Sequence, residues 1–220
     1  MELFAQVMRE NHVLASVAHT SATAERAEQA FSWGFSHVTH FYNAMTTFHK
    51  VNHIVHSGVI EATYLDDHVT VELIGDGKHI PKQSMLLALR IKGPDKIALI
   101  TDAMRAAGTN VKTSILGPKS AGVPVVVENG VAQLPDLSSY AGSITTMDAV
   151  ARVAHLAYGI PLEVVSEMLS LTPARISNVA DRKGSLEEGK DADVVLMTPS
   201  LEINKVFVRG NLRHDAQKSN

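Results

Sequence analysis

KIALITDAMRAAG, residues 96–108, is the stretch that decides the fold. Its first five residues form a short apolar run with branched side chains, which is typical of a strand buried in a sheet. The run then places an acid, Asp102, directly at its carboxyl end. An ionised acid directly after a buried strand suggests a function, and the rest of the sequence indicates which one.

Length and composition indicate an ordinary globular protein. The chain has 220 residues, of which 45% are hydrophobic and 20% are charged, and its formal net charge is −3. The slightly negative charge and the lack of long basic clusters argue against nucleic-acid binding. Cysteine is absent, which excludes disulfides and thiolate metal ligands. We find no signal-peptide pattern and no run of ~20 apolar residues, so we expect a cytoplasmic protein with no membrane partner.

Segments of strand and helix character alternate along the first half of the chain. Strands are predicted near residues 12–18, 37–42, 69–74 and 96–101, with helices over 22–34 and 81–93. This alternation predicts parallel strands joined by crossover helices. The turn at 128–130 predicts a hairpin near 123–134, inserted after the last of these strands.

A chemically capable residue follows each predicted strand. His19 follows the first, His40 and Asn43 the second, His79 the third and Asp102 the fourth. In a (β/α)8 barrel the carboxyl ends of all strands open on one face, where active sites are built. The four strand ends are therefore expected to converge on one site, which gives the acid at the end of its strand a role as catalytic base.

The two strand-end histidines are candidate metal ligands. Parallel neighbours lie only about 4.8 Å apart, so His19 and His40 can supply imidazole nitrogens to one divalent ion. The alternative is a pair of hydrogen-bonded structural histidines. His37 is expected near the start of its strand, outside the site, in a packing or solvated role.

Asp102 and His79 have two interpretations each. Asp102 can accept a proton from water activated by a metal and return it to a leaving amine; otherwise it is a helix N-cap or an ion-pair partner. His79 lies in a glycine-rich turn that can direct its ring into the pocket, but this pattern is weak when taken singly.

Seven segments together carry a family resemblance: AHTSA (18–22), HVTHFYNAM (37–45), VTVELIGDGKHIP (69–81), KGPDKIALITDAMRAAG (92–108), AGSITTMD (141–148), TPARI (172–176) and DRKGSLEEGKDADVVLM (181–197). In this order they closely resemble N-acetylglucosamine-6-phosphate deacetylases of the amidohydrolase superfamily. The resemblance implies hydrolysis of N-acetylglucosamine 6-phosphate to glucosamine 6-phosphate and acetate. It also implies a divalent metal cofactor, with zinc expected first and iron or another divalent ion as the alternative.

The resemblance also implies roles for single residues. His19 and His40 correspond to two metal ligands, and Asp102 corresponds to the general base and acid. The positions that it implies for substrate binding are Asn43, Ala44, His79, Ala141, Gly142 and Ser143.

The resemblance further implies the fold and its division. The fold class expected is α/β: the C-terminal half of a (β/α)8 TIM-like barrel, about strands five to eight, with the closing strands of a small β-sandwich domain. The partial barrel is expected over 1–180, with the hairpin insertion near 116–140, and the sandwich strands and tail over 181–220. The remaining metal ligands of the family belong to segments before these, so two ligands are expected here, whereas a zinc site takes three protein ligands plus water.

The phosphate site departs from the family pattern. Val51 and Val55 stand where an arginine is expected, and Lys50, His53 or His56 can supply a cation instead, although lysine lacks the bidentate fork that suits phosphate. Three functions stay open: this deacetylase with impaired activity, a deacetylase of a related amino sugar, or an inactive amidohydrolase fragment that serves as a binding module. The expected partners are a small-molecule amino-sugar phosphate and a second copy of the chain in a homodimer.

Overall fold

A computed structural model describes residues 1–218 of the chain. Its α-helices are α1 (Glu2–Glu10), α2 (Ala24–Trp33), α3 (Val59–Leu65), α4 (Lys82–Lys92), α5 (Met147–Arg152), α6 (Leu162–Ser166) and α7 (Thr172–Ile176). Its strands are β1 (Ser16–Val17), β2 (His37–Val38), β3 (His49–Val51), β4 (Ile54–His56), β5 (Thr70–Ile74), β6 (Ile97–Ile100), β7 (Thr113–Leu116), β8 (Val123–Glu128), β9 (Val131–Gln133), β10 (Val194–Met197), β11 (Ile203–Val208) and β12 (Asn211–Asp215). None of the helices within residues 1–218 is long and apolar enough to cross a membrane.

The central feature is a parallel sheet of four strands in the order β1-β2-β5-β6. Ser16 pairs with His37, His37 with Thr70, and Val71 with Ile97, in parallel register throughout. The four predicted parallel strands are therefore confirmed, and their carboxyl ends lie at the same edge of the sheet.

The first two strands are much shorter than the sequence predicted. β1 occupies two residues of the predicted 12–18, and β2 two residues of the predicted 37–42. β1 begins late, at Ser16, and β2 ends early, at Val38, and beyond them the chain turns into positive φ at His19 (40°) and His40 (31°). Residues with side chains adopt such angles rarely, so alternation alone could not show where these strands end.

The two faces of the parallel sheet differ in chemistry. On one face Val38, Val71 and Leu73 are fully buried at 0% exposure beneath the helices, and each such side chain contributes about 1.5–3 kcal/mol on burial. The opposite face carries a set of hydrogen-bonded polar side chains, which we call the polar layer: Ser16, His37, Thr39, Thr70 and Glu72. Side chains alternate between the faces of a strand, so one sheet provides both an apolar core and a polar floor.

Helices α2 and α4 lie within the predicted ranges 22–34 and 81–93. The Thr23 hydroxyl accepts the Arg26 N–H at the start of α2, and Gly34 ends the helix at φ 108°. Helix α4 lies between Pro81 and Gly93. Both boundaries are set by local chemistry, a capping hydroxyl or proline at the start and glycine at the end.

Three small antiparallel sheets complete the chain. The predicted hairpin is present as β8 and β9, turning at Asn129 and Gly130, and β7 extends it to three strands that begin at Thr113 rather than near 116. Strands β10 to β12 form another sheet, and β3 with β4 form a hairpin that the sequence did not predict.

The mixed α/β class is confirmed. Closure of the parallel sheet into half of a TIM-like barrel, and the assignment of β10 to β12 to a sandwich domain, stay predictions. The domain boundary at 180 and 181 is also a prediction, and the last two residues of the second domain lie outside the described residues.

Candidate active site

The residues that follow the parallel strands lie together at the carboxyl edge of the sheet. His19 follows β1, His40 follows β2, the segment with Asp76 and His79 follows β5, and Asp102 follows β6. The order β1-β2-β5-β6 makes each of these strand ends the neighbour of the next. The topology thus places the sequence-predicted residues along one edge.

The imidazoles of His19 and His40 point at each other. Their Nε2 atoms lie 2.9 Å apart and their ring centroids 4.6 Å apart. His40 is buried at 9% exposure, whereas His19 is exposed. Both residues hold the positive φ noted above, a conformation that costs about 1–3 kcal/mol and persists only where the surroundings enforce it. The fold therefore directs both rings to one point.

The histidine pair fits a shared divalent ion. Zn–N bonds of about 2.0–2.1 Å from two rings can end on one ion when the nitrogens are less than about 4.2 Å apart, and these are closer than that. The Nδ1 atom of His40 is buried and has no hydrogen-bond partner in residues 1–218. Across the same residues, no three side chains of the ligand types come together as a metal site.

Two residues near the β3–β4 hairpin with side chains of metal-ligand type, Glu61 and His56, are engaged elsewhere. Glu61 caps α3: its carboxylate accepts the N–H of Gly58 at 2.7 Å and the hydroxyl of Thr47 at 2.6 Å. Burial raises the pKa of Glu61, but these hydrogen bonds lower it more. The ring of His56 stacks on His49 across the hairpin, with centroids 5.7 Å apart.

The main chain of Asp102 is held by a distant loop. Its carbonyl accepts the Ser143 N–H at 2.8 Å, and the Ser143 carbonyl accepts the Met104 N–H at 2.8 Å. The hydroxyl of Ser143, which is almost fully buried, donates to the Thr101 carbonyl. The predicted loop residues Ala141, Gly142 and Ser143 thus lie beside Asp102.

The side chain of Asp102 is exposed. Within residues 1–218 its carboxylate has no hydrogen bond or ion pair, and Asp102 begins no helix, so the structure offers neither the capping nor the ion-pair alternative. An exposed carboxylate at the carboxyl end of a parallel strand is accessible to a bound molecule.

Asn43 and Ala44 form the turn that follows His40. The Asn43 amide donates to the His40 carbonyl at 3.1 Å, and the Ala44 carbonyl accepts the Thr20 N–H at 2.9 Å. Ala44 is exposed and has φ 51°. This turn therefore ties the chain after β2 to the chain after β1.

His79 lies in a hydrogen-bonded turn with Asp76. The Asp76 carboxylate lies 2.7 Å from His79 Nδ1 and accepts the N–H groups of Lys78 and His79 at 2.9 Å each. Burial raises the pKa of Asp76, but the hydrogen bonds from His79 and Lys78 lower it more. The ionised acid selects the Nδ1–H form of His79. The ring edge of His79 also meets the exposed Tyr140, with centroids 4.9 Å apart.

Sequence reasoning missed Glu72, whereas His37 lies at the start of its strand and is buried, in agreement with the packing role expected for it. Glu72 Oε1 lies 3.2 Å from His37 Nε2, and its Oε2 accepts the His40 N–H at 3.2 Å. Burial raises the pKa of Glu72, but these contacts lower it more. A glutamate inside the otherwise apolar run VTVELI was the signal that could have identified it.

Comparison with known proteins defines the class. Residues 2–213 match the amidohydrolase family. Together with the strand-end histidines and aspartate, this match shows that the chain belongs to the amidohydrolase family.

The relatives are more specific than the family. The chain is 35% identical over 205 residues to N-acetylglucosamine-6-phosphate deacetylase of Bacillus subtilis, covering 93% of this chain and 50% of that protein. It is 32% identical to N-acetylgalactosamine-6-phosphate deacetylase of Escherichia coli O157:H7, covering 93% of this chain and 52% of that protein. The resemblance found in the sequence is confirmed, and the chain spans about half the length of these relatives.

Solved structures agree with the relatives. The N-acetylglucosamine-6-phosphate deacetylase of Pasteurella multocida superposes with a TM-score of 0.88 at 28% identity, covering 97% of this chain and 54% of that chain. A mutant of the Mycobacterium smegmatis enzyme in complex with N-acetyl-D-glucosamine 6-phosphate gives 0.87 at 30% identity, covering 96% and 54%. The described fold is therefore that of part of such an enzyme.

Proposed function

We propose that the site at the carboxyl edge of the parallel sheet serves metal-dependent hydrolysis of N-acetylglucosamine 6-phosphate to glucosamine 6-phosphate and acetate. The observation that carries the proposal is the 2.9 Å approach of His19 Nε2 and His40 Nε2. Similarity to deacetylases from several organisms supports the substrate.

In this proposal His19 and His40 hold a divalent cation, with zinc as the first choice because both donors are imidazoles. When bound, the cation supplies positive charge that polarises the acetyl carbonyl and acidifies water. This chain contributes two ligands, whereas zinc enzymes use three protein ligands and an open position. We therefore expect the 220-residue chain alone to bind metal weakly and to have little or no deacetylase activity.

Asp102 is the proposed general base and acid. Its exposed carboxylate takes a proton from the attacking water and then delivers a proton to the nitrogen of the departing amino sugar. The loop at Ser143 fixes the main chain on either side of this residue. Proton transfer needs the carboxylate within hydrogen-bond reach of both atoms, so the fixed backbone limits the positions that the acid can take.

The proposed substrate contacts lie around these three residues. His79, with its Nδ1–H directed to Asp76, has Nε2 available to the sugar. Asn43 and the exposed residue Ala44 are proposed for the phosphate, and Ala141, Gly142 and Ser143 for the sugar. Lys50 and His53 are exposed on the β3–β4 hairpin and are candidates for the missing cation.

A second copy of the chain is the proposed assembly partner. The β3–β4 hairpin exposes the side chains of Phe48, Ile54 and Val55, at 62%, 63% and 49%, and exposed apolar patches of this kind often mark contacts between proteins. Sedimentation velocity of the purified chain tests this proposal: a concentration-independent monomer would contradict it.

The function is tested by complementation. The chain is purified alone and also co-expressed with the part of the Bacillus subtilis relative that it does not cover, and acetate release from N-acetylglucosamine 6-phosphate is measured with added Zn²⁺. We expect activity only in the combined preparation, and activity that requires His19 and His40. Full activity of the chain alone would show that a third ligand exists in it, with His53, His56 and Glu61 the first residues to test.

A related amino sugar is the second candidate substrate. The similarity to an N-acetylgalactosamine-6-phosphate deacetylase, at 32% identity, supports it. Comparing kcat/KM for the two sugar phosphates in the combined preparation separates these functions. No activity on either sugar, with both parts folded and metal added, would favour an inactive binding module.

A further inference from the structure

The main chain of His40 needs an external restraint. The residue follows β2 at φ 31°, outside the strand conformation, and its ring must face His19 across the gap between two strands. A side chain on a strained residue keeps its direction only if its backbone is held.

Glu72 supplies that restraint from the neighbouring strand β5. Its side-chain Oε2 accepts the His40 N–H at 3.2 Å, and its own carbonyl accepts the Phe41 N–H at 2.8 Å. Two consecutive N–H groups beyond β2 are therefore bound by one residue. Contact between the two chain segments therefore continues past the end of β2, through the Glu72 side chain at His40 and through the Glu72 backbone carbonyl at Phe41.

The polar layer in turn fixes Glu72. His37, which is 3% exposed, contacts Glu72 Oε1 through Nε2 at 3.2 Å and Thr70 Oγ1 through Nδ1 at 2.7 Å. Both carboxylate oxygens of Glu72 are thus occupied, one by His37 of β2 and one by the His40 N–H just beyond it. This arrangement differs from that of a metal ligand, which presents an oxygen to the ion.

We propose that Glu72, anchored by His37, is a positioning residue that holds the His40 backbone so that the His40 imidazole faces His19. The proposal rests on the proposed function only where it concerns metal: by fixing the direction of one ligand, Glu72 raises the affinity of the pair for a divalent cation. Partners that orient a metal ligand typically change affinity by about 10–100-fold.

Four variants of the 220-residue chain test the proposal. Glu72→Ala removes both contacts, and Glu72→Met removes them while filling the same volume, which keeps the test valid if the alanine variant fails to fold. Glu72→Gln retains an oxygen for the His40 N–H and an amide that can donate to His37. Asp66→Ala is the matched control. The Asp66 carboxylate also accepts backbone N–H groups, those of His68 and Val69 at 2.8 and 3.2 Å, but it does so just before β5 begins and does not contact His40.

Two readouts are measured on each variant. The first is the nuclear Overhauser effect between the ring protons of His19 and His40, measured in metal-free protein. The centroids of these two rings are 4.6 Å apart. The second is Zn²⁺ affinity by calorimetry. We expect Glu72→Ala and Glu72→Met to lose the ring contact and to weaken Zn²⁺ binding about tenfold or more, while Glu72→Gln and Asp66→Ala keep both.

Two results would overturn the proposal. A ring contact that persists in Glu72→Met would show that the backbone contact does not position His40. Loss of Zn²⁺ affinity in Glu72→Gln with the ring contact intact would show that Glu72 acts through its charge. If the unaltered chain alone binds too little Zn²⁺ to measure, the affinities are compared in the preparation combined with the missing part of the enzyme. Absence of Zn²⁺ from that preparation would contradict the metal-dependent function, and the ring contact alone would still decide the positioning role.

Discussion

Replacing Gly142 with alanine is expected to loosen the loop that holds Asp102. Gly142 has φ 71°, and a Cβ added there would lie 3.1 Å from the Asp102 carbonyl oxygen and 3.3 Å from Met104 Cβ. That carbonyl is the acceptor for the Ser143 N–H. Relief of the contact must therefore move the backbone of the proposed catalytic base.

The size of the effect follows from two separable costs. A side chain in the left-handed region costs about 1–2 kcal/mol, and crowding in a closely packed place costs about 1–3 kcal/mol more. Gly210 isolates the first cost, because it has φ 73° and an added Cβ there meets nothing within 4 Å. We expect Gly142→Ala to lower the free energy of unfolding by about 2–5 kcal/mol and Gly210→Ala by only about 1–2 kcal/mol.

Urea denaturation measures the free energy of unfolding of both variants. Acetate release in the combined preparation measures how each substitution affects turnover. We expect Gly142→Ala to lose turnover and Gly210→Ala to retain it. Equal destabilisation by the two substitutions, or unchanged turnover in Gly142→Ala, would refute the inference that this loop holds Asp102.

Three further predictions concern the site. His19→Ala or His40→Ala should remove metal from the complemented enzyme, as measured by elemental analysis, and unchanged metal content in both variants would reject the ligand assignment. Asp102→Asn should preserve metal content and substrate binding but lower turnover by about 10²–10⁴-fold; near-normal turnover would exclude Asp102 as the base. Because the folded pKa of Asp76 is lowered, its contribution to stability is present above the ordinary aspartate pKa of about 3.9 and is lost as the pH falls through the lowered value. Asp76→Asn should therefore unfold more easily at pH 7 and show a shallower loss of stability in acid, and parallel pH profiles for the two proteins would contradict this.

The elements that the sequence predicted well are those whose boundaries are set by local chemistry. Helix α2 begins at the Thr23 cap and ends at Gly34, and the β8–β9 hairpin turns at Asn129 and Gly130. A hydroxyl cap or a residue suited to positive φ acts within a few positions of the chain. Such signals are visible without knowledge of the fold.

The strand lengths near the site were predicted poorly. β1 begins late, at Ser16, β2 ends early, at Val38, and the chain beyond each of them leaves the extended conformation at His19 and His40. Neither residue type requires positive φ, so the sequence carries no mark of it. The surrounding structure imposes this conformation at the point where the two rings meet.

The β3–β4 hairpin was also missed. Its turn at Asn52 and His53 has φ 48° and 68°, but it lacks the Asn-Gly or Asp-Gly pair that usually indicates a two-residue turn. Val51 and Val55 were considered only as departures from a phosphate site, although their β-branched side chains also favour strands.

The sequence by itself determined the α/β class and the parallel strands that His19, His40 and Asp102 follow, because apolar runs, caps and turn residues are local patterns. Only the tertiary structure decided that the two imidazoles face each other and that Glu72 binds the His40 backbone. It also decided that the Ser143 hydroxyl reaches the Thr101 carbonyl, 42 residues away in the chain. These contacts depend on strand register and on unusual backbone angles, which are fixed by packing across the whole sheet rather than by neighbouring residues.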